Sequence, residues 1–90
     1  MPETVLARAL NAQMAKFLEV DVALGLTFAH IATNATKDPH KRERNTLNAQ
    51  KALASVLKYK SRTRLDTARA ILIESKVDRL KTALKNLHSQ

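Results

Sequence analysis

Few side chains in this 90-residue sequence could do chemistry: histidines at 30, 40 and 88, four serines, and one acid, Asp21, set in an apolar stretch. Histidine is the side chain whose ordinary pKa lies near neutrality, so an acid-base reading starts there. Position argues against it. His40 belongs to a basic run, His88 reads as part of a terminal tail, and His30 lies off the apolar series of its own segment. No His, Asp or Glu spacing matches a zinc site, and the absence of cysteine removes both disulfides and the commonest zinc ligands. Ser55, Ser61, Ser75 and Ser89 have no nucleophile motif around them. The single glycine, Gly25, cannot build a phosphate-cradling loop. The expectation is therefore a protein that is not an enzyme and uses no cofactor, metal or small-molecule substrate. Phosphotransfer at a surface His30 ranks well below binding.

Asp21 is the informative polar residue. Leu10, Met14, Phe17, Leu24, Phe28, Ile31 and Ala35 recur at spacings of three and four, and Asp21 fills the one gap in the series. A charged group buried there alone would be costly, so it is expected to be paired, to sit at a solvated rim, or to face a partner. Asp21, Leu24 and Phe28 are accordingly the candidate interaction residues.

The elements that position these residues are helices. Fourteen alanines and thirteen leucines stand against one glycine, two prolines and three aromatics, a mixture that favours helix and lacks the β-branched and aromatic enrichment of strands. The 3-4 series predicts a first helix over about 3–36, with Pro2 and Glu3 suited to its first turn and the series as its bundle seam, joined by Leu6 and widened on one side by Leu18, Val22 and Leu26. A helix of that length runs roughly 50 Å, longer than a compact domain of this size. It must bend, with Gly25 the weakest point, or project beyond its partners. Asp38 and Pro39 end it and open a second helix over about 39–60, as N-cap and first helical residue. A turn near Lys60 to Arg64 leads to a third helix over about 63–88, capped by Ser61 or Thr63. The fold expected for residues 1–90 is a single all-α domain, an antiparallel up-down-up three-helix bundle that is open to self-association.

Charge is unevenly spread. Residues 1–37 hold three acidic and three basic side chains, residues 38–64 hold two and eight, and residues 65–90 hold three and five. Most of the net +8 thus falls on the second helix and the following turn: Lys41, Arg42, Arg44, Lys51, Lys58, Lys60, Arg62 and Arg64. Such a face is the electrostatic footprint of a nucleic-acid binder, for which Lys41, Arg44, Lys51, Lys58, Arg62 and Arg64 are the candidate contacts. It is equally what a solvated helix face looks like. No helix-turn-helix, RNP, zinc-finger or basic-zipper pattern accompanies it, and aromatics for base stacking are missing.

The most apolar window, Val20 to Ile31, is broken by Asp21, Gly25, Thr27 and His30 and is too short for a membrane span. The opening residues do not fit a signal peptide, and the lack of cysteine suits a reducing compartment, so a cytoplasmic location is expected. The leading functional expectation is a protein-interaction or oligomerisation module. Its long first helix buries surplus apolar surface against another copy of the chain or another helical protein. Nucleic-acid binding by the second helix is the alternative.

Overall fold

The computed structural model describes residues 4–89, which form three α-helices in up-down-up order: α1 (Val5–Asn34), α2 (Pro39–Lys60) and α3 (Thr67–His88). No strand occurs among the described residues. α1 packs on both other helices, and α2 and α3 touch each other least. The molecule is elongated, 55 × 20 × 15 Å. At 1.5 Å per residue α1 runs about 45 Å, some 10 Å beyond α2 or α3.

Local chemistry sets each boundary. Thr4 accepts a hydrogen bond from the amide of Ala7 at 3.0 Å and caps α1. Pro2 and Glu3, expected in the first turn, lie outside the described residues. α1 ends at Asn34 and not at 36, because the amide of Ala35 turns back to the carbonyl of Ala32 at 3.2 Å. Asp38 caps α2 through the amide of Lys41 at 3.0 Å, with Pro39 in the first turn as its fixed φ favours. The third helix starts later than the sequence suggested. Thr63 donates its hydroxyl to the carbonyl of Tyr59 at 2.7 Å, so it serves the end of α2. Asp66 caps α3 through the amide of Arg69 at 2.7 Å.

The seam is where the structure departs most from the sequence reading. The residues of α1 buried in the bundle are Ala15, Leu18, Val22, Gly25, Ala29 and Ala32, one position on from the expected series. That is a rotation of about 100° about the helix axis. Leu10, Phe17 and Leu24 are 55%, 42% and 47% exposed, while Met14, Phe28 and Ile31 are half-buried. The reason is size. α2 also presents small residues, with Asn45, Ala49, Ala52 and Val56 buried, and α3 supplies the bulk through Ile73, Val77, Leu80, Leu84 and Leu87. Each such fully buried aliphatic side chain contributes about 1.5–3 kcal/mol. Small residues on α1 and α2 let the backbones approach, and Leu18, Val22 and Val56 with the large side chains of α3 fill the remaining space.

Gly25 marks the closest point. A Cβ at this position would stand 2.6 Å from Leu80 Cδ2 and 3.1 Å from the Cβ of Ala52. The glycine thus serves close approach, a role beside the two alternatives the sequence offered, a bend with Gly25 as its weakest point or a helix end that projects. Leu80 is fully buried and Ala52 has no side chain to swing aside, so neither yields cheaply. Gly25→Ala gains about 1 kcal/mol of helix propensity and loses about 1–3 kcal/mol to overpacking. The expected outcome in urea unfolding is a net loss near 1 kcal/mol; a gain would mean that Leu80 repacks without strain.

Candidate interaction surface

Rotating the seam leaves the large apolar side chains of α1 facing outward. Leu6, Leu10, Phe17, Val20 and Leu24 are 68%, 55%, 42%, 51% and 47% exposed, and their 4-3 spacing, with Gln13 completing it, aligns them in one stripe. Exposed apolar residues elsewhere, Leu47, Leu57, Ile71 and Leu72, do not form such a series, and scattered ones are ordinary. A continuous stripe over five helical turns is not.

Two contacts fix where the stripe ends up. Asn11 clamps the α2–α3 turn with both halves of its amide: its Nδ2 donates to the carbonyl of Arg64 and its Oδ1 accepts from the amide of Arg64, each at 2.8 Å. Residues before Asn11 continue past that turn, which is why Val5 and Leu6 are so exposed. Farther along, Phe17 meets the ring of Tyr59 edge-on, with centroids 5.9 Å apart and planes at 88°. Lys58 places its ammonium 5.4 Å from the same ring. The apolar stripe of α1 and the basic side of α2 therefore meet at Tyr59.

The candidate interaction residues divide. Leu24 is on the outward stripe; Phe28 is half-buried and packs against the core. Asp21 lies on the border between stripe and seam. It is half-buried, and its Oδ2 is shielded from solvent with no hydrogen-bond partner in the structure. A carboxyl oxygen in that state is costly, so a cation reaching the group would be stabilising.

The basic residues divide as well. Lys41, Arg44, Lys51 and Lys58 are exposed on α2, and Arg44, Lys51 and Lys58 repeat every seven residues along one side. Arg62 and Arg64 are exposed in the turn, Arg64 with its backbone held by Asn11. The other two do structural work. Arg42 donates to the carbonyls of Ala32 and Leu87, both at 3.3 Å, and so places one guanidinium on the C-terminal ends of α1 and α3 together. Lys60 pairs with Glu74 and ties the end of α2 to the start of α3. Arg69 and Glu19, 3.1 Å apart, join α3 to α1.

Neither Asn11 nor Arg42 was singled out from the sequence. Asn11 carried a signal, since it falls on the buried 11-15-18-22 series and a polar residue in that phase needs a tertiary partner. The role of Arg42 could not be read locally, because both of its acceptors come from other helices.

The histidines are dispersed. His30 is exposed with its Nε2 3.0 Å from the amide of Asn34. His40 is exposed in the first turn of α2. His88 closes α3, where a loose tail was expected, with its Nε2 2.9 Å from the amide of Gln50. No group of three or more His, Asp or Glu side chains among the described residues could hold a metal ion. A surface groove of about 640 Å³ runs along the outer side of α3 past Ser75, Asp78, Arg79 and Thr82. It is an open furrow with charges of both signs. Among the described residues no helix is long and apolar enough to cross a membrane. Comparison with family models, with curated proteins and with solved structures finds no match to this chain.

The Lys60–Glu74 tie has a pH signature. Hydrogen bonding and charge attraction from Lys60 hold the Glu74 carboxyl below its ordinary value of 4.5, with a smaller contribution from Lys81. A carboxyl lowered on folding adds stability above its unfolded pKa, and that increment disappears as pH falls through the folded value. Stability measured by thermal melting should therefore decline on acidification below about 4.5. Glu74→Gln should remove the part of that decline due to Glu74 and lower stability at neutral pH by the same increment, a small one for an exposed pair. An unchanged acid limb in the variant would show that the tie does not form.

Proposed function

We propose that this chain is a protein-interaction module that docks a helix along the outward stripe of α1 and performs no catalysis. The observation that carries this reading is the stripe: Leu6, Leu10, Phe17, Val20 and Leu24 stay substantially exposed although the bundle has satisfied its own core with neighbouring positions. A monomer gains nothing from apolar surface so arranged, whereas a partner helix reads anchors at just such spacings. The dispersed histidines and mixed-charge grooves add no opposing sign of a reaction centre. A reducing, cytoplasmic setting fits a cysteine-free chain.

The test is Leu10→Ser with Leu24→Ser in one chain. Both side chains are about half exposed, so the monomer fold should survive within about 0.5 kcal/mol. Binding partners retained from native extract, or self-association at rising concentration, should be lost. An identical binding profile in the variant would end the reading.

A second reading rests on a separate observation, the exposed row of Arg44, Lys51 and Lys58 beside Lys41. It makes the module a nucleic-acid binder whose phosphate contacts come from α2. Titration with mixed RNA and with duplex DNA should then show affinity falling steeply with salt, at a log-log slope of about −3 to −4 for four contacts, and Lys51→Ala should reduce that slope by about one. Absence of binding at low salt would remove this reading.

A further inference from the structure

We infer that the occupant of the stripe is a second copy of this chain, paired with the first through parallel, in-register α1 helices. The inference rests on the reading of the stripe as a docking surface and adds the partner, its direction and its register. Assigned as a heptad, the outward residues take alternating core positions: Leu10, Phe17 and Leu24 at a, Leu6, Gln13 and Val20 at d. All six are exposed, Phe17 on the side of its ring turned away from Tyr59, so six successive a and d layers face a partner helix.

The charges at the flanks select the direction. In this register Lys16 occupies a g position and Asp21 the following e position, five residues on. In a parallel pair each g side chain meets the e side chain of the next heptad on the other helix, so Lys16 of each copy meets Asp21 of its partner, twice across the two-fold axis. In an antiparallel pair g faces g and e faces e. Lys16 would then meet Ala9, Ala23, His30 or its own copy, never a carboxylate.

Both groups are available for such pairing. Lys16 is exposed and has no hydrogen bond or ion pair with a described residue. Asp21 sits at the edge of the stripe with one oxygen buried and unsatisfied, so the approach of an ammonium at its open side offsets a cost that the monomer bears.

The charge budget of the molecule points to the same helix. α1 carries two basic and two acidic side chains, Arg8, Lys16, Glu19 and Asp21, whereas α2 carries six basic against one acidic and α3 five against two. Two copies with a net charge of +8 each repel through α2 or α3 and meet without that excess only along α1. Gln13 at d places two amides opposite each other, which favours the in-register alignment over a slipped one.

The test uses the full chain and two single substitutions, Lys16→Glu and Asp21→Lys, with helicity checked by circular dichroism. In sedimentation equilibrium the unaltered chain should dimerise, and each variant alone should dimerise about tenfold more weakly because two like-charged pairs replace two complementary ones. An equimolar mixture of the two variants should recover the original affinity, since a mixed dimer holds two complementary pairs, one native and one with the charges exchanged. If Asp21→Lys fails to fold, Asp21→Asn against the unaltered chain gives the weaker form of the same comparison. Independently, Gln13→Cys introduces one thiol into a cysteine-free chain, and mild oxidation should link the two copies quantitatively, because only a parallel in-register pair brings position 13 opposite itself at disulfide distance.

A dimer with no charge complementation and no cross-link overturns the parallel register. A strict monomer at about 1 mM overturns the second copy altogether. In that case the docking reading stands only if Leu10→Ser with Leu24→Ser still abolishes capture of another protein, and falls if it does not.

Discussion

The bundle depends on how closely α1 approaches its neighbours at Gly25. The space a Cβ would take there is already held by Leu80 and Ala52, and Ala15, Ala29 and Ala32 continue the same narrow face. Close approach dictates what that face contains. At the level of Gly25 a large side chain would push the helices apart and open voids around Leu80 and Val77, so on α1 the bulk is confined to Leu18 and Val22 and the rest comes from α2 and α3. A helix has a limited circumference, and once its inward face is given to small residues its large apolar residues must lie beside it. The outward stripe of Leu10, Phe17 and Leu24 is the geometric counterpart of the narrow seam.

Polar contacts at the two ends hold that arrangement in place. Arg42 gathers the C-terminal ends of α1 and α3, where backbone carbonyls run short of helical partners, and one planar guanidinium reaches both because its donors fan apart. At the opposite end Asn11 fixes the α2–α3 turn, and Lys60–Glu74 and Arg69–Glu19 brace the start of α3. The apolar middle supplies the burial and the ends supply the register. This division decides the basic face too, since Arg42 and Lys60 are committed to holding helices and the outward charge left on α2 is an ordered row instead of a general excess.

What could be read from the sequence follows from how local each signal is. Asp38 and Pro39 predicted the α1–α2 break because a cap and a fixed φ act within one turn, and both act as expected. The α2–α3 boundary was harder, since Ser61 and Thr63 fit a cap by local rules and drew the start of α3 ahead of Asp66, the residue that caps it. The choice was made when Thr63 bonded backward to Tyr59. The centre of the seam was misplaced because an apolar pattern weights Leu, Met and Phe, whereas the packing centred on the expected flank of Leu18 and Val22 together with Ala15, Gly25, Ala29 and Ala32, which contribute almost nothing to that pattern. Asp21 then moved from the middle of the expected seam to its border, and Gly25 from a hinge to a point of contact. The three-helix architecture survived the error because a one-position rotation of α1 leaves helix lengths and connections unchanged.

The same rotation changes how the charge map is understood. With the expected seam inward, α1 would have presented a nearly neutral polar face, and the basic second helix would have been the prominent outer feature. With the observed seam, the neutral helix carries the largest continuous apolar surface and the charged helices carry only scattered apolar residues. Electrostatic repulsion between copies is screened over about 8 Å at physiological salt, so it matters most for side chains brought into contact and little for those on the far side of the bundle. A surface that is both apolar and charge-balanced is therefore the one place where close approach of another protein costs least, and on this chain that place is α1. Lys58, lying over Tyr59 where Phe17 also packs, marks where that surface ends and the basic row begins. An anionic partner approaching α2 and a helix docking on α1 would meet there, so occupancy of one side bears on the electrostatics of the other.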